Sequence, residues 1–253
     1  MAQRTLLGGV HAVQAAVRHD PTRALEAWVD RRRRDDRLRR VREQLEAVGC
    51  PVHESESDAL GRLVPGLSHQ GVVLAMKGQG PRGDQALAAL LDGLEEEPLL
   101  LVLDQVQDPH NLGACLRTAD AAGVHAVIAP RDRASGLTPV VHRVSAGAAS
   151  TVPFFQVTNL ARCLRNLRDR GIWLVGAAGD GRDSPFTADL RGPLALVLGA
   201  EGRGLRRLTR EHCDHLLAIP MAGEVESLNV SVATGVLLFE AVRQRQGSPD
   251  GRG

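Results

Sequence analysis

From residue 98 onward, short continuous apolar runs alternate with segments of helical periodicity. The apolar runs span 99–103, 124–129, 172–176, 194–198 and 216–219. Uninterrupted runs of this length are typical of strands that helices cover on both faces. The helical candidates between them span 112–122, 139–149, 159–170 and 205–213. This alternation predicts a mostly parallel α/β sheet, whose ligands we expect beyond the carboxyl ends of the strands.

The residues before this region have a different organisation. Residues 1–78 contain a few separate elements, which predict a small N-terminal α/β domain. These are helical candidates at 10–17 and 37–48 and strand candidates at 24–29 and 71–76. Residues 79–97 start with glycine and proline and are acidic, so we interpret them as a linker with room for one or two helical turns. We therefore expect two domains, at 1–78 and 98–253.

Composition disfavours membrane, disulfide and metal proteins. The chain has no run of 18 apolar residues and no apolar signal-peptide core, so we expect a soluble cytoplasmic protein with no membrane segment. Its four cysteines are scattered without a C-x-x-C pair, which predicts free thiols. The His-Cys-Asp-His cluster at 212–215 has no second ligand pair of matching spacing, so we expect no metal.

Eight arginines fall between Arg31 and Arg42. Such a run is either a solvated helix face, because interleaved acidic residues dilute its charge, or a patch that contacts phosphates. If RNA is the partner, we expect salt-sensitive backbone contacts here. Stacking of bases on aromatic side chains is not favoured, since the chain has two Trp, four Phe and no Tyr.

Two of the predicted strands end in unusual loops. The first leads through a Pro-containing turn into a helix with Asn111 near its start and then Arg117, which is alternatively a surface residue or an ion-pair partner of Asp120. The strand at 194–198 opens into a Gly-rich loop at 199–204, which is neither G-x-G-x-x-G nor a P-loop. Its acidic residue argues against a phosphate cradle, so a neutral or cationic ligand against bare backbone fits better.

The last predicted strand stops at Pro220, and a loop leads to Ser227, Asn229 and Ser231 at the start of an apolar helix. We interpret Ser227 as the N-cap of this helix. Apolar residues with helical spacing are Val232, Val236 and Phe239. We expect the helix to be buried nearly all round, so the polar residues of its first turn either cap it or face a ligand.

Three segments resemble, in order and spacing, the three motifs of the SpoU (TrmH) family of SPOUT RNA methyltransferases. They are Asn111-Leu112-Gly113-Ala114 with Arg117, Gly199-Ala200-Glu201-Gly202, and Ser227-Leu228-Asn229-Val230-Ser231. Segments 9–13 and 69–73 resemble the substrate-binding domain of bacterial 23S rRNA (guanosine-2'-O-)-methyltransferases. The sequence departs from the pattern at Gln105, where a small residue is expected before the Asp-Pro turn.

The resemblance implies a fold, a cofactor and a set of site residues. It implies a C-terminal α/β-knot domain with a deep trefoil knot, S-adenosylmethionine bound in the knot, and a homodimer with active sites at the subunit interface. The implied catalytic residues are Arg117, Asn111, Glu201, Ser227 and Asn229. The implied cofactor-binding residues are Gly199, Ile219, Met221 and Leu228.

Methyl transfer to a ribose hydroxyl needs alignment of the reacting atoms and removal of a proton. Methyl transfer to a ribose 2'-hydroxyl is an in-line displacement, so alignment of the oxygen and the methyl group supplies much of the rate. Arg117 is a poor general base, because the pKa of a guanidinium lies above about 12. Our hypothesis is that Arg117 holds the adjacent RNA phosphate and stabilises negative charge on the oxygen, while that phosphate or a neighbouring side chain assists proton removal.

The sequence therefore favours an enzyme that methylates a guanosine 2'-hydroxyl in 23S rRNA, in the P loop of the peptidyl transferase centre. The N-terminal domain supports an rRNA substrate, because tRNA-directed members of the resembled family generally lack it. Two alternatives stay open, a non-catalytic RNA-binding assembly factor and a methyltransferase for another rRNA or tRNA nucleotide. A nucleotide-dependent oxidoreductase is disfavoured, because no strand end carries G-x-G-x-x-G.

Overall fold

A computed structural model of the protein describes residues 4–77 and 82–247. The strands are β1 (Arg4–Gly8), β2 (Ala24–Asp30), β3 (Val52–Ser55), β4 (Val72–Lys77), β5 (Leu99–Asp104), β6 (Ala126–Pro130), β7 (Phe154–Val157), β8 (Trp173–Ala177), β9 (Leu194–Gly199) and β10 (His215–Leu217). The helices are α1 (Val10–His19), α2 (Asp36–Ala47), α3 (Ser57–Leu63), α4 (Asp84–Asp92), α5 (Pro109–Ala121), α6 (Pro139–Val144), α7 (Ala148–Thr151), α8 (Leu160–Asp169), α9 (Arg207–His212) and α10 (Val230–Gln246). Two compact units contain them: the described residues up to 77 with 137–151, and the rest.

The first unit is built on a four-stranded sheet with the order β1-β4-β2-β3. Strand β4 pairs antiparallel with β1 and β2, whereas β2 pairs parallel with β3. The apolar faces of α1 and α2 form a core with the sheet, in which Val13 and Leu45 are completely buried. Helix α2 begins where the side chain of Asp35 accepts a hydrogen bond from the Leu38 amide at 3.1 Å. The short helices α6 and α7 pack on β1 and α1.

The second unit is built on a six-stranded sheet with the order β10-β8-β9-β5-β6-β7, and every pair of neighbouring strands is parallel. This confirms the predicted parallel α/β sheet. Strands β5 and β9 are neighbours although 89 residues separate Asp104 from Leu194, and their last residues, Asp104 and Gly199, are register partners. The strand order reverses here, which opens a crevice at the carboxyl ends where ligands bind in sheets of this kind.

Helices cover this second sheet. Leu87 of α4 and Cys163 and Leu164 of α8 belong to one buried cluster with residues of the central strands. The middle of the predicted linker, where one or two helical turns were expected, is therefore a packed helix, α4. Helices α5 and α10 lie against each other, with the Cys115 sulfur 3.5 Å from the Thr234 hydroxyl oxygen in a buried contact. The domain limits 1–78 and 98–253 stay a prediction, as does the trefoil knot.

Several elements differ from the sequence predictions. The short strands β1, β3 and β7 and the helix α3 were not predicted, because each offers few residues of clear periodicity. The predicted helix at 139–149 is two helices, since Ala146 and Gly147 take positive φ angles of 53° and 108°. Among the described residues, no helix is long and apolar enough to cross a membrane.

Helix α10 corrects two predictions. It starts at Val230, with Asn229 rather than Ser227 as its N-cap. It is not buried nearly all round, because Val232 and Phe239 are 51% and 49% exposed. The buried face instead includes Thr234, whose hydroxyl donates to the Val230 carbonyl at 2.7 Å. Apolar residues thus occupy both faces of this helix, so periodicity alone did not identify the face in contact with the sheet.

Candidate active site

One hydrogen-bonded cluster joins residues from all three sequence motifs. The Asn229 side-chain nitrogen donates to Asn111 Oδ1 at 3.0 Å and also to Glu201 Oε1. Asn111 lies in the first turn of α5, Glu201 in the loop after β9, and Asn229 at the start of α10. Three segments that are remote in sequence therefore meet at the carboxyl end of the central strands β5 and β9.

The side chain of Asn229 also caps helix α10. Its Oδ1 accepts hydrogen bonds from the Ser231 amide at 2.9 Å and from the Ser231 hydroxyl at 2.6 Å. Because Oδ1 caps α10, the amide nitrogen must point the other way, toward Asn111 and Glu201. The helix start thus fixes the orientation of the amide. Of the two roles predicted for the polar residues here, Asn229 fills the first, capping of the helix; contact with a ligand stays a prediction.

The Gly-rich loop after β9 folds back on the strand end. The Gly204 amide donates to the Ala200 carbonyl at 2.9 Å, and Gly202 and Gly204 adopt positive φ angles of 70° and 62°. A Cβ atom added to Gly199 would lie 2.0 Å from the Gly204 carbonyl carbon and 2.4 Å from the Leu205 amide nitrogen. Only glycine fits at 199, so the strand ends in bare backbone next to Glu201.

An ion pair between the buried Asp104 and the partly exposed Arg206 holds this loop over β5, and the sequence predictions missed it. Asp104 is 1% exposed; its two oxygens accept from Arg206 Nε at 2.7 Å and from the Arg206 amide at 3.1 Å. A buried carboxylate is costly unless it is paired in this way. The available signal was an aspartate that ends an otherwise apolar strand. These two residues position the loop that carries Glu201.

A cleft of about 290 Å³ opens beside the cluster, with Gln105, Asn111 and Glu201 among its lining residues. Gln105 has a φ of 65°, in the left-handed region that glycine adopts without cost. The conformation gives a physical reason for expecting a small residue at this position. A glutamine costs about 1–2 kcal/mol in this conformation.

Two predicted catalytic residues lie outside the cluster. Arg117 is exposed on α5, and Ser227 is exposed in the loop before α10. Among the described residues, no hydrogen bond joins either side chain to Asn111, Glu201 or Asn229. Their catalytic roles stay predictions.

The predicted cofactor-binding residues lie on loops at this sheet edge. Gly199 ends β9, Ile219 and Met221 follow β10, and Leu228 precedes α10; the last three are half-buried. The end of β10 is tightly packed, because a Cβ atom added to Gly181 would lie 2.5 Å from the Leu217 carbonyl carbon. Bare backbone at Gly199 and half-buried apolar side chains fit a ligand with an adenine ring and a cationic centre. Their contacts with a cofactor stay predictions.

The cysteines and the side chains at 212–215 are held in packing and hydrogen-bonding contacts. All four cysteines are free, which confirms the prediction, and burial raises the pKa of the Cys115 thiol to about 11 and that of Cys213 to about 12. These two thiols therefore stay protonated near neutral pH and are poor nucleophiles. Asp214 accepts from the Leu174 amide at 2.9 Å, and the His215 ring stacks on Trp173. Within residues 4–77 and 82–247, no group of three His, Cys, Asp or Glu side chains could hold a metal.

Comparisons with known proteins agree with this geometry. The model of the SpoU rRNA Methylase family matches residues 98–239, and the model of the RNA 2'-O ribose methyltransferase substrate-binding domain matches residues 6–81. The chain is 54% identical over 242 residues to the 23S rRNA (guanosine-2'-O-)-methyltransferase RlmB of Pectobacterium atrosepticum, covering 96% of this chain and 99% of the relative. It is 53% identical over 249 residues to RlmB of Ralstonia nicotianae, covering 98% and 99%.

A solved structure extends the comparison to the fold. The SpoU methyltransferase AviRb from Streptomyces viridochromogenes, in complex with the cofactor AdoMet, matches with a TM-score of 0.81 at 29% identity. The match covers 97% of this chain and 92% of AviRb. The family models, the full-length relatives and the fold all agree with the three motifs that meet around Asn229. The chain therefore belongs to the SpoU rRNA methylase family.

Proposed function

We propose that the protein transfers the methyl group of S-adenosylmethionine to the 2'-hydroxyl of a guanosine in 23S rRNA. The observation that carries this proposal is the cluster in which Asn229 binds both Asn111 and Glu201, because it unites the three family motifs at the ligand-binding edge of the sheet. Relatives about 50% identical over almost the whole chain are named for this reaction. We place the target in the P loop of the peptidyl transferase centre and the enzyme in the cytoplasm.

The residues of the site divide the work of the reaction. S-adenosylmethionine supplies a methyl group activated by its sulfonium charge. Gly199, Ile219, Met221 and Leu228 hold it at the strand ends, and the apolar side chains among them exclude water. Arg117 binds the RNA phosphate beside the target ribose and stabilises negative charge on the 2'-oxygen as the proton leaves. The exposure of Arg117 on α5 suits a residue that contacts RNA rather than the protein core.

The Asn111–Asn229–Glu201 cluster positions the reacting groups. Asn229 holds the side chains of Glu201 and Asn111 in fixed positions beside the cleft. The polar atoms that line the cleft therefore need not reorganise during the reaction. Since the displacement is in-line, a fixed approach of the 2'-oxygen supplies much of the acceleration. The proton passes to the phosphate that Arg117 binds or to a neighbouring side chain.

We further propose that the protein acts as a homodimer. Val232 and Phe239 are exposed on α10, and Val236 lies between them on the same face. Exposed large apolar side chains in one stripe are typical of a surface that another protein covers. Sedimentation equilibrium of the wild type and of Phe239→Asp tests this: we expect a dimer and a weakened dimer, respectively. A monomeric wild type at micromolar concentration would contradict the proposal.

The decisive experiment is transfer of a labelled methyl group from S-adenosylmethionine to protein-free 23S rRNA and to large-subunit assembly particles. Wild type, Arg117→Ala and the control Arg165→Ala, an exposed arginine on α8, are compared and the modified nucleotide is mapped. We expect one guanosine 2'-hydroxyl to be modified by the wild type and the control, and about 10²–10³-fold slower transfer by Arg117→Ala. Binding of RNA without methyl transfer to either substrate would instead identify a non-catalytic assembly factor.

A further inference from the structure

The arginines between Arg31 and Arg42 do not form one uniform basic patch. Five of them pair with carboxylates in the first unit: Arg31 and Arg32 with Glu56, Arg33 with Asp35, Arg39 with Asp36, and Arg42 with Glu46 and Glu54. Arg34, Arg37 and Arg40 are exposed, and no carboxylate of the described residues lies within 4.0 Å of their nitrogen atoms. The charge available to an anionic partner is therefore concentrated on these three side chains.

One of these three arginines lines a cleft. The cleft measures about 210 Å³. The residues around it are Val10, His11, Arg33, Asp35, Arg37 and Gln70. They come from the first turn of α1, the segment before α2 together with the first turn of α2, and the loop before β4. Neither Arg34 nor Arg40 lines this cleft.

Gln70 presents its donor group because its acceptor is already used. The Gln70 carbonyl oxygen Oε1 accepts a hydrogen bond from the Val10 amide at 3.1 Å. With Oε1 held in this way, the two N–H bonds of the side-chain amide remain for another acceptor. The neighbouring loop is held as well, since the Gly71 amide donates to His69 Nδ1 at 3.1 Å.

The acidic residue in the cleft does not cancel the charge of Arg37. Asp35 Oδ1 accepts from the Leu38 amide at 3.1 Å, and Oδ2 lies 3.0 Å from Arg33 Nε and 2.8 Å from Arg33 Nη2. The Leu38 amide, more than Arg33, lowers the pKa of this carboxyl. The negative charge of Asp35 is thus balanced by Arg33 and by the amide at the start of α2. The guanidinium of Arg37 therefore keeps an uncompensated positive charge.

Arg33 is held in place by its surroundings. Its carbon stem packs on Gly71, where an added Cβ atom would lie 3.1 Å from Arg33 Cδ. Asp35 engages Nε and Nη2, which leaves further N–H groups of the planar fork for a second acceptor. A guanidinium fixed in this way loses little conformational entropy when it binds an anion. The cleft thus combines two fixed donors, Gln70 and Arg33, with one free charge, Arg37.

We propose that this cleft binds a backbone phosphate of the rRNA substrate, with Arg37 supplying charge and Gln70 and Arg33 supplying oriented hydrogen-bond donors. The inference rests on the proposed function and deepens it, because it assigns one phosphate subsite within the first unit. A phosphate accepts several hydrogen bonds at once, which matches a cleft whose free polar groups are donors. The other exposed arginines, Arg34 and Arg40, contribute only to the general attraction of RNA.

The test compares Arg37→Gln with the control Arg40→Gln, which removes an exposed arginine from the same helix outside the cleft. Affinity of the full-length protein for protein-free 23S rRNA is measured between 50 and 200 mM KCl. We expect Arg37→Gln to weaken binding about tenfold and to reduce the slope of log affinity against log salt by about one, since one phosphate contact is lost. Arg40→Gln should change the affinity less than about twofold. Equal effects of the two substitutions would overturn the proposal.

A second variant, Gln70→Glu, tests the oriented donor. Glutamate keeps an oxygen for the Val10 amide but places a negative charge where the amide donor was, so the fold is retained and a phosphate is repelled. We expect weaker RNA binding than in Arg37→Gln, with an unchanged melting temperature and unchanged affinity for S-adenosylmethionine. RNA affinity equal to that of the wild type would contradict the phosphate site.

Kinetics separate this inference from the proposed function. If the wild type methylates rRNA, Arg37→Gln should raise KM for RNA about tenfold and keep kcat at saturating RNA. A wild type that transfers no methyl group would refute the proposed function, whereas normal KM in Arg37→Gln would refute only the phosphate site. Inorganic phosphate, which presents the same acceptor oxygens, should compete with RNA better than chloride does at equal ionic strength, and Arg37→Gln should remove this difference. Phosphate that competes equally well with the wild type and with Arg37→Gln would overturn the assignment of the cleft.

Discussion

The cluster around Asn229 and the arginines of the first unit bring polar groups together in opposite ways. Asn229 meets Asn111 across 118 positions of sequence and Glu201 across 28. The arginines instead take half of their carboxylate partners from nearby positions, as Arg39 does with Asp36 and Arg42 with Glu46. The contacts of Asn229 form only in the folded sheet, whereas the Arg39–Asp36 and Arg42–Glu46 pairs form within the single helix α2.

This difference separates two kinds of function. Chemistry at a 2'-hydroxyl depends on position, so the cluster uses buried strands and a capped helix to fix a few atoms. Attraction of RNA depends on summed charge, which tolerates movement and is screened by salt. Substitutions at the sheet edge should therefore change kcat, whereas most substitutions among the arginines should change affinity and its salt dependence.

The largest effect is expected at Arg117. Arg117→Lys keeps the charge but removes the planar fork that binds two phosphate oxygens at once. We expect kcat to fall about 10²-fold or more, with folding unaffected because the side chain is exposed. Single-turnover methyl transfer measures this, with Arg165→Lys as the control. Near-full turnover by Arg117→Lys would refute the role of the planar fork and show that the positive charge of Arg117 is sufficient.

Gly199→Ala tests the bare backbone at the end of β9. The added Cβ atom would collide with the backbone of Gly204, so the Gly-rich loop must move. We expect affinity for S-adenosylmethionine, measured by calorimetry, to fall about 10²-fold, because a displaced loop loses several ligand contacts. The control is Gly179→Ala, where an added Cβ atom has nothing within 4 Å. Unchanged affinity in Gly199→Ala would remove Gly199 from the cofactor site.

Asn229→Asp separates the helix cap from the cluster. Aspartate still accepts from the Ser231 amide, so α10 should keep its start and its stability. The second oxygen then replaces the amide donor and faces Asn111 Oδ1 and the Glu201 carboxylate, which repels it. We expect kcat to fall about 10- to 100-fold, in line with the loss of about 1.5–3 kcal/mol for a hydrogen bond to a charged group.

A matched control for this substitution exists in α8. Asn159 caps that helix by accepting from the Arg162 amide at 3.0 Å, outside the cluster. Asn159→Asp should leave methyl transfer unchanged. Similar losses of activity at both positions would show that helix capping, and not the cluster, is what Asn229 contributes.

The smallest effect concerns pH and the first unit alone. Burial, with Arg23 adding to it, lowers the pKa of His142 on α6 from 6.5 to about 4, so the folded protein keeps this imidazole neutral. The unfolded chain binds a proton first, and His142 therefore contributes a loss of stability as the pH falls from about 6.5 toward 4. At pH 5.5 the expected loss is about 1.4 kcal/mol, or tenfold in the unfolding equilibrium.

Urea unfolding at pH 7.5 and 5.5 measures this effect. In a Trp173→Phe background, fluorescence of Trp28 reports on the first unit, which contains both Trp28 and His142. The His142→Gln variant should lose less stability between the two pH values than the parent, whereas His19→Gln, at an exposed position, should behave like the parent. Equal pH dependence in the parent and His142→Gln would refute a neutral buried imidazole.

Local sequence patterns were sufficient to predict the parallel sheet and the loops that carry the candidate site. Uninterrupted apolar runs such as 99–103 and 194–198 specify buried strands, because only a strand covered on both faces needs no polar positions. Elements with weaker patterns escaped prediction. Strand β3 has exposed or half-exposed residues throughout and β7 only four residues, so neither shows a period.

The roles of the polar residues, in contrast, depend on contacts that form only in the folded chain. Serine and asparagine are both good N-caps, and the sequence could not tell that α10 starts at Asn229 rather than Ser227. The choice depends on contacts with Asn111 and Glu201, which exist because β5 and β9 are neighbours in the sheet. Likewise, Arg33 pairs with Asp35, whereas Arg37 has no ion-pair partner among the described residues. Strand order and side-chain pairing are long-range properties, and local periodicity carries no information about them.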